Sequence, residues 1–326
     1  MSPATLDQFV TLDDIRAARE RIRAAAVYTP LLEVPAQAFG PSGVRALFLK
    51  CENLQPMGAF KIRGAYNMIA QLPKEQLDRG VITYSSGNHG QAVALAAQQV
   101  GARAVIVMPT TAPAVKVDGC RSYGAEVIME GTTSLHRQAR AEREARERGL
   151  TIVPPFDHKQ IVIGQGTVGL EILEQCADVG TVFVPAGGGG LASGTAAAIK
   201  QSKPSVRIVA VEPVGAPKMT RSLEAGQPTT LPSSASIADG LMNLRPGDIT
   251  YAHIRKFVDE VVTVSDDDIA KNVAWLFRHA RLVVEPSGAI TTAAARLGLG
   301  HPTGKIVAVV SGGNVAPEAF ARYIAG

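Results

Sequence analysis

The chain has 326 residues, enough for one large domain or two of ordinary size around a substantial core. Hydrophobic residues make up 46% and charged residues 19%, the balance of a soluble globular enzyme, and the net charge of +4 is spread among interspersed acids and bases rather than gathered into a nucleic-acid stripe. No apolar run reaches membrane-spanning length, the N-terminus carries Asp7, Asp13 and Asp14 where a signal peptide needs an apolar core, and Cys51, Cys120 and Cys176 lack metal spacing, so the expected setting is a reducing cytoplasm with neither membrane nor nucleic acid as partner.

In chain order, Thr11-Leu-Asp-Asp14 reads as a helix N-cap with an acid three residues on, and that helix is expected to run to about Ala25, before Tyr28-Thr-Pro30. A short strand over 47–50 leads to a helix over 64–71. Next come a buried strand over 80–84, a turn at 85–90, an alanine-rich helix over 91–100, a strand over 104–108, a helix over 116–123 and a strand over 126–129. Ser134 is expected to cap a helix ending at Gly149. Its arginines 137, 140, 143, 146 and 148 stand against Glu142, Glu144 and Glu147, and the spacing of Arg140 to Glu144 and of Arg143 to Glu147 predicts a solvated face rather than a binding patch. A strand over 151–153 closes this stretch, and Pro154-Pro155 punctuates it.

A second alternation follows, with helices over 164–176, 191–200, 216–225, 266–280 and 287–297 and strands over 181–184, 206–211, 258–264 and 305–310. The pattern predicts an α/β protein of two domains, each an open, mostly parallel sheet flanked by helices: a large domain from 1–79 with 154–326, and a small inserted domain over 80–153. Asp266-Asp-Asp268 follows Ser265 at a helix start, where capping and dipole matching explain it better than a metal.

Four stretches carry chemistry. In Gln55-Pro-Met-Gly-Ala-Phe-Lys61-Ile-Arg-Gly-Ala65, no acid lies between Glu52 and Glu75. A lysine in such an apolar segment loses its proton readily, and a neutral amine can form a Schiff base with a carbonyl cofactor; the plainer reading is a snorkelling surface lysine at a helix start. The run Gly187–Gly190 follows a strand and opens a helix, so its N–H groups can close around a phosphate; the plainer reading is a tight turn. Gly187, Gly189 and Ala192 also fit G-x-G-x-x-A, with Glu212 ending the next strand, which keeps a nicotinamide oxidoreductase open as a remote alternative. Ser85-Ser-Gly-Asn-His-Gly90 is a strand-to-helix turn suited to a carboxylate, and Ser311-Gly-Gly-Asn314 follows the last strand.

With these four stretches in this order, the chain from about Thr11 onward resembles the serine/threonine dehydratase and serine racemase family, the second fold type (tryptophan synthase β-like) of pyridoxal phosphate (PLP) enzymes. The resemblance implies PLP as cofactor, Lys61 as its Schiff-base partner and the catalytic base, and Gly187, Gly188, Gly189, Gly190 and Leu191 around its phosphate. It places Asn88 at the ring hydroxyl, Phe60 beside the ring, Gly240 of Ala238-Asp-Gly240 against it, Glu285 of Glu285-Pro-Ser-Gly-Ala289 near it, and Ser311 at the ring nitrogen. A neutral hydroxyl there, unlike an aspartate, does not hold the nitrogen protonated, which favours β-elimination over transamination. Ser85, Ser86, Asn88 and His89 would bind the substrate, and Ser86 would be a second acid/base on the opposite ring face, or simply a helix cap; His89 would orient the turn. Glu285 could equally be a plain helix N-terminal acid.

The implied activity is a lyase reaction of amino-acid metabolism: loss of water from a β-hydroxy amino acid, serine or threonine first, giving a 2-oxo acid and ammonia, with the cofactor phosphate helping the hydroxyl leave. Open alternatives are a racemase with dehydratase side activity, a dehydratase for 3-phenylserine or 3-hydroxyaspartate, and a ligand-binding module with a vestigial site. Met57 and Ala59 replace the family's small hydroxyl residues and leave substrate identity open. In Glu212-Pro-Val-Gly-Ala216-Pro-Lys218, Lys218 stands where the family has a metal-binding acid. No metal is therefore expected, and the Lys218 ammonium should neutralise Glu212 in its stead. A homodimer is implied, as is the absence of the C-terminal regulatory extension of biosynthetic threonine dehydratases and of feedback control by isoleucine.

Overall fold

The computed structural model describes residues 9–35, 46–85, 87–112 and 114–325. Among these residues, ten strands form two sheets. They are β1 (Leu31–Val34), β2 (Leu47–Lys50), β3 (Val81–Tyr84), β4 (Ala104–Met108), β5 (Glu126–Met129), β6 (Thr151–Ile152), β7 (Val179–Pro185), β8 (Arg207–Pro213), β9 (Glu260–Val264) and β10 (Lys305–Val309). The larger sheet has the order β1-β2-β10-β7-β8-β9, parallel except that β1 runs antiparallel to β2. The smaller sheet, β5-β4-β3-β6, is parallel throughout. Val182-Phe183-Val184 and Ile208-Val209-Ala210-Val211 are fully buried, because helices cover both faces of a parallel sheet and its strands read as unbroken apolar runs. We propose to divide the chain at 79/80 and 153/154, along the sheets.

The helix Lys61–Ile69 lies between these layers. It starts three residues before the expected Gly64, at Lys61 itself, with no side chain capping it. One face packs Ile62, Ala65, Met68 and Ile69 against Ala92, Val93 and Ala96 of the helix Asn88–Gln99, beneath the smaller sheet. The other meets the helix Lys159–Gln175 backbone to backbone: a Cβ on Gly164 would come within 2.6 Å of Gly64 Cα. That second helix starts five residues before the expected 164, because His158, an unusual cap, accepts Gln160 N through Nδ1 at 3.2 Å. Thr133, not Ser134, caps the helix Ser134–Arg148 by accepting His136 N. Strand β1 and the helices Lys74–Arg79, Asp248–Phe257 and Pro317–Ala325 were not foreseen.

A buried ion network anchors the Lys61 helix. Arg63 is bonded to Glu52 and Glu171, and Lys50 donates to Glu171 at 2.5 Å and to Thr29 O at 2.7 Å. Two cations face two carboxylates, so the buried charge is balanced.

Candidate active site

Two of the sequence motifs are laced together. Phe60 N donates to Ser311 O at 3.1 Å, Gly313 N to Gly58 O at 2.9 Å, and Asn314 Nδ2 to Met57 O at 2.9 Å. Gly58 has φ +77° and no room for a side chain beside Asn314, so only glycine suits this crossing. The lacing sets Lys61 at the wall of a cavity of about 430 Å³. The same cavity is lined by Phe60, Ser85, Asn88, His89, Gly187 to Leu191, Gly240, Glu285 and Ser311. Ser86 lies outside the described residues.

Lys61 is half-buried, and its Nζ donates to Pro155 O at 2.7 Å. Burial lowers its pKa to about 8, so an appreciable share of neutral amine exists near neutral pH. Across the cavity, β7 ends at Pro185 and the helix Gly190–Ser202 begins, with Gly189 in the left-handed region at φ +101°. A Cβ on Gly188 would run into the Phe156 ring, and one on Gly187 would come to 3.0 Å from both Gly240 O and Asn243 Oδ1. Side chains are thus excluded, and the backbone N–H groups of a helix start, which lack intrahelical acceptors, line the cavity. An amine poised to bond a carbonyl and a cradle for a phosphate dianion are the donor set that PLP needs.

Between them, Asn88 Nδ2 donates to Glu285 Oε1 at 2.5 Å and Asn88 Oδ1 accepts from Asn314 Nδ2 at 2.9 Å. Ser85 Oγ accepts Gly87 N at 3.1 Å and so shapes the turn. His89 Nε2 faces Val153 O at 3.1 Å. Burial and the Lys61 charge push the His89 pKa down to about 3, leaving a neutral imidazole that donates to the carbonyl. Ser311 is buried and its Oγ donates to Ser287 O at 3.3 Å. Glu285 is driven up to about 7 by burial and by the nearby Asp239, against the pull of Lys116 and the Asn88 amide.

The structure adds residues that the sequence did not single out. Lys116 and Asp239 form an ion pair on the cavity wall. Asp157, also lining the cavity, caps the helix Asp248–Phe257 by accepting Asp248 N and Ile249 N, each at 3.0 Å. Arg137 corrects the expected solvated face. Arg140 does pair with Glu144, but Arg137 is buried on the cavity wall, and burial lowers its pKa. Its Nη1 reaches Thr132 O at 3.4 Å, while its Nε has no partner among the described residues. The signal was present: four residues to either side of Arg137 stand Thr133 and Ala141, not acids.

Glu212 is fully buried and bonded to Met219 N, Thr220 N and Lys218. It is not free to hold a ribose, which removes the support for the dinucleotide alternative. At Asp266-Asp-Asp268, Ser265 Oγ accepts Asp268 N at 3.2 Å, and Asp266 accepts from Ser236 Oγ at 2.5 Å and Ile237 N at 3.1 Å. No helix among the described residues is long and apolar enough to cross a membrane.

Comparison with known proteins agrees with this geometry. The chain is 40% identical to an L-threonine ammonia-lyase of Thermotoga maritima over 97% of this chain and 78% of that one. It is 43% identical to a serine racemase of Oryza sativa subsp. indica over 93% of this chain and 91% of the relative. The solved structure of maize serine racemase superposes with a TM-score of 0.92 at 41% identity, covering 97% of both chains. With a match over residues 22–312 to the family described as pyridoxal-phosphate dependent enzyme, the chain belongs to that family, in its second fold type, with pyridoxal 5′-phosphate as cofactor.

Proposed function

We propose that the protein is an ammonia-lyase that removes water from a β-hydroxy amino acid, serine or threonine first, yielding a 2-oxo acid and ammonia. Lys61 carries the reading: a lysine lowered to about pKa 8 that shares one cavity with a glycine cradle and a buried serine hydroxyl. Bound PLP supplies an electron sink for the bond broken at Cα. In this reading Lys61 holds the cofactor's carbonyl carbon, Gly187 to Leu191 its phosphate, Asn88 its ring hydroxyl and Ser311 its ring nitrogen, with Phe60, Gly240 and Glu285 around the ring. The turn at Ser85, Asn88 and His89 receives the substrate carboxylate at a helix N-terminus. The neutral Lys61 Nζ would take the Cα proton of the bound substrate. The Ser311 hydroxyl is uncharged and cannot keep a ring nitrogen protonated, which favours prompt departure of the β-hydroxyl as water over transamination. The L-threonine ammonia-lyase relative supports this chemistry.

The serine racemase relatives support a second reading, in which Ser86 moves a proton on the opposite face. The buried Arg137, whose Nε has no partner among the described residues, supports a narrower lyase reading with an acidic substrate such as 3-hydroxyaspartate. One panel separates these: serine, threonine, 3-hydroxyaspartate and 3-phenylserine, with 2-oxo acid, ammonia and enantiomer ratio followed together. The lyase reading expects equal amounts of 2-oxo acid and ammonia from at least one of them. D-serine formed without ammonia, and lost in Ser86→Ala, would replace it with the racemase. A homodimer belongs to the same reading and is read by light scattering.

A further inference from the structure

Lys218 is a fully buried lysine whose Nζ sits in a cage of oxygens. It donates to Ala186 O at 2.8 Å, Leu241 O at 3.0 Å and Ala216 O at 3.1 Å, and lies 3.0 Å from Glu212 Oε1. Burial lowers the pKa of this amine, with Glu212 pulling the other way. The geometry decides its state: the three carbonyl oxygens each take one hydrogen, which an ammonium supplies and a neutral amine with two cannot, and the Glu212 carboxylate stands beside the charge. Glu212 is held in turn by Met219 N at 2.8 Å, Thr220 N at 2.9 Å and Thr220 Oγ1 at 3.0 Å.

The three carbonyls belong to three different segments. Ala186 ends the approach to the glycine loop and is followed directly by Gly187. Leu241 follows Gly240, whose N donates to Ser287 Oγ at 2.9 Å. Ala216 lies in the turn after β8. The first two segments also touch each other, since a Cβ on Gly187 would come within 3.0 Å of Gly240 O. The ammonium therefore fixes the glycine loop against the Gly240 wall from behind the cavity. It is a positioning group and touches no reacting atom.

We propose that the Lys218 ammonium is a built-in structural cation that sets the phosphate cradle, and that it replaces an exchangeable ion at this place. The width of the cage names the ion it would otherwise take. Magnesium needs oxygens at about 2.0–2.1 Å and calcium at about 2.3–2.6 Å. Oxygens 2.8–3.1 Å from Nζ, carrying a single carboxylate, suit a monovalent ion the size of ammonium or potassium. A divalent metal does not fit the residues present.

The test reads cofactor affinity and thermal unfolding, so it stands or falls separately from the substrate assigned above. Native protein and Lys218→Ala are compared in choline, potassium and ammonium chloride at one ionic strength, each with and without chelator. Native protein should bind PLP and unfold identically in the three salts. In choline the variant should bind PLP about tenfold more weakly, the loss of one interaction of ordinary strength, and unfold at lower temperature. Potassium or ammonium should restore both. Lys218→Met, whose stem fills the hole, should lose affinity in every salt. A native protein sensitive to chelator or to the salt exchange would overturn the proposal. So would an alanine variant that keeps native affinity in choline, one that is not restored or does not fold in any salt, or a methionine variant rescued by potassium.

Discussion

Two residues beyond Lys61, Arg63 grips Glu171 with both terminal nitrogens, Nη1 to Oε1 at 2.6 Å and Nη2 to Oε2 at 2.9 Å. The same guanidinium holds Glu52 at 2.7 and 2.8 Å. Glu52 precedes the lysine segment and Glu171 lies on the helix Lys159–Gln175, so one side chain pins the start of the Lys61 helix to the larger sheet's layer.

Truncating that side chain is expected to be severe. Arg63→Ala leaves two buried carboxylates facing Lys50 alone, and breaking a buried pair in this way costs about 3–5 kcal/mol. Urea unfolding of the cofactor-free protein measures it. A loss below about 1 kcal/mol would contradict a network that depends on Arg63.

Glu285 predicts a pH signature. Its folded pKa is raised from 4.5 to about 7, so the folded state keeps a proton that the unfolded state releases. That contributes stability in full below about pH 4.5, and the contribution is lost as pH rises through about 7. Glu285→Gln keeps the Asn88 bond but cannot ionise. The Tm of the variant should approach native at pH 5 and exceed it at pH 8. Parallel curves would mean that the carboxyl is already charged at pH 5.

Lys61 has the opposite sign. Burial lowers its pKa from 10.5 to about 8, so the folded state gives up its proton before the unfolded state does. The burial penalty on the ammonium is present below pH 8 and fades as pH climbs toward 10.5. Covalent attachment of PLP to the cofactor-free protein needs the neutral amine. Its stopped-flow rate should rise with pH and reach half its plateau near pH 8; a rate flat from pH 6 to 9 would show another step in control.

Arg137 makes the acidic-substrate reading testable. A charge-assisted contact is worth about 1.5–3 kcal/mol, so Arg137→Gln should raise KM for 3-hydroxyaspartate about 10- to 100-fold and leave that for serine within a factor of two or so. Equal changes for both substrates would remove the acidic specificity.

Much of this site was legible in the chain. The unbroken apolar runs before Gly187 and after Lys305 announced buried parallel strands, and the four motifs do meet in one cavity. What was hidden depends on contacts far apart in sequence. Arg63, Glu52 and Glu171 look like ordinary charges until the fold stacks 52, 63 and 171 together. Lys116 and Asp239 meet across 123 residues. Helix starts were misplaced where the cap was unorthodox: Phe60 offers Lys61 none, and His158 acts through a ring nitrogen. The pairing of Lys218 with Glu212 was legible because the two are six residues apart, whereas the third carbonyl of the cage, at Leu241, was not.

The central claim is that the amine at position 61 carries the cofactor. Reducing the PLP-loaded protein with borohydride fixes any imine in place, and peptide mass mapping then finds it. The account predicts a single pyridoxyl adduct on Lys61, absent in Lys61→Ala together with the visible absorbance and turnover. An adduct on another lysine, or turnover retained in Lys61→Ala, would contradict it.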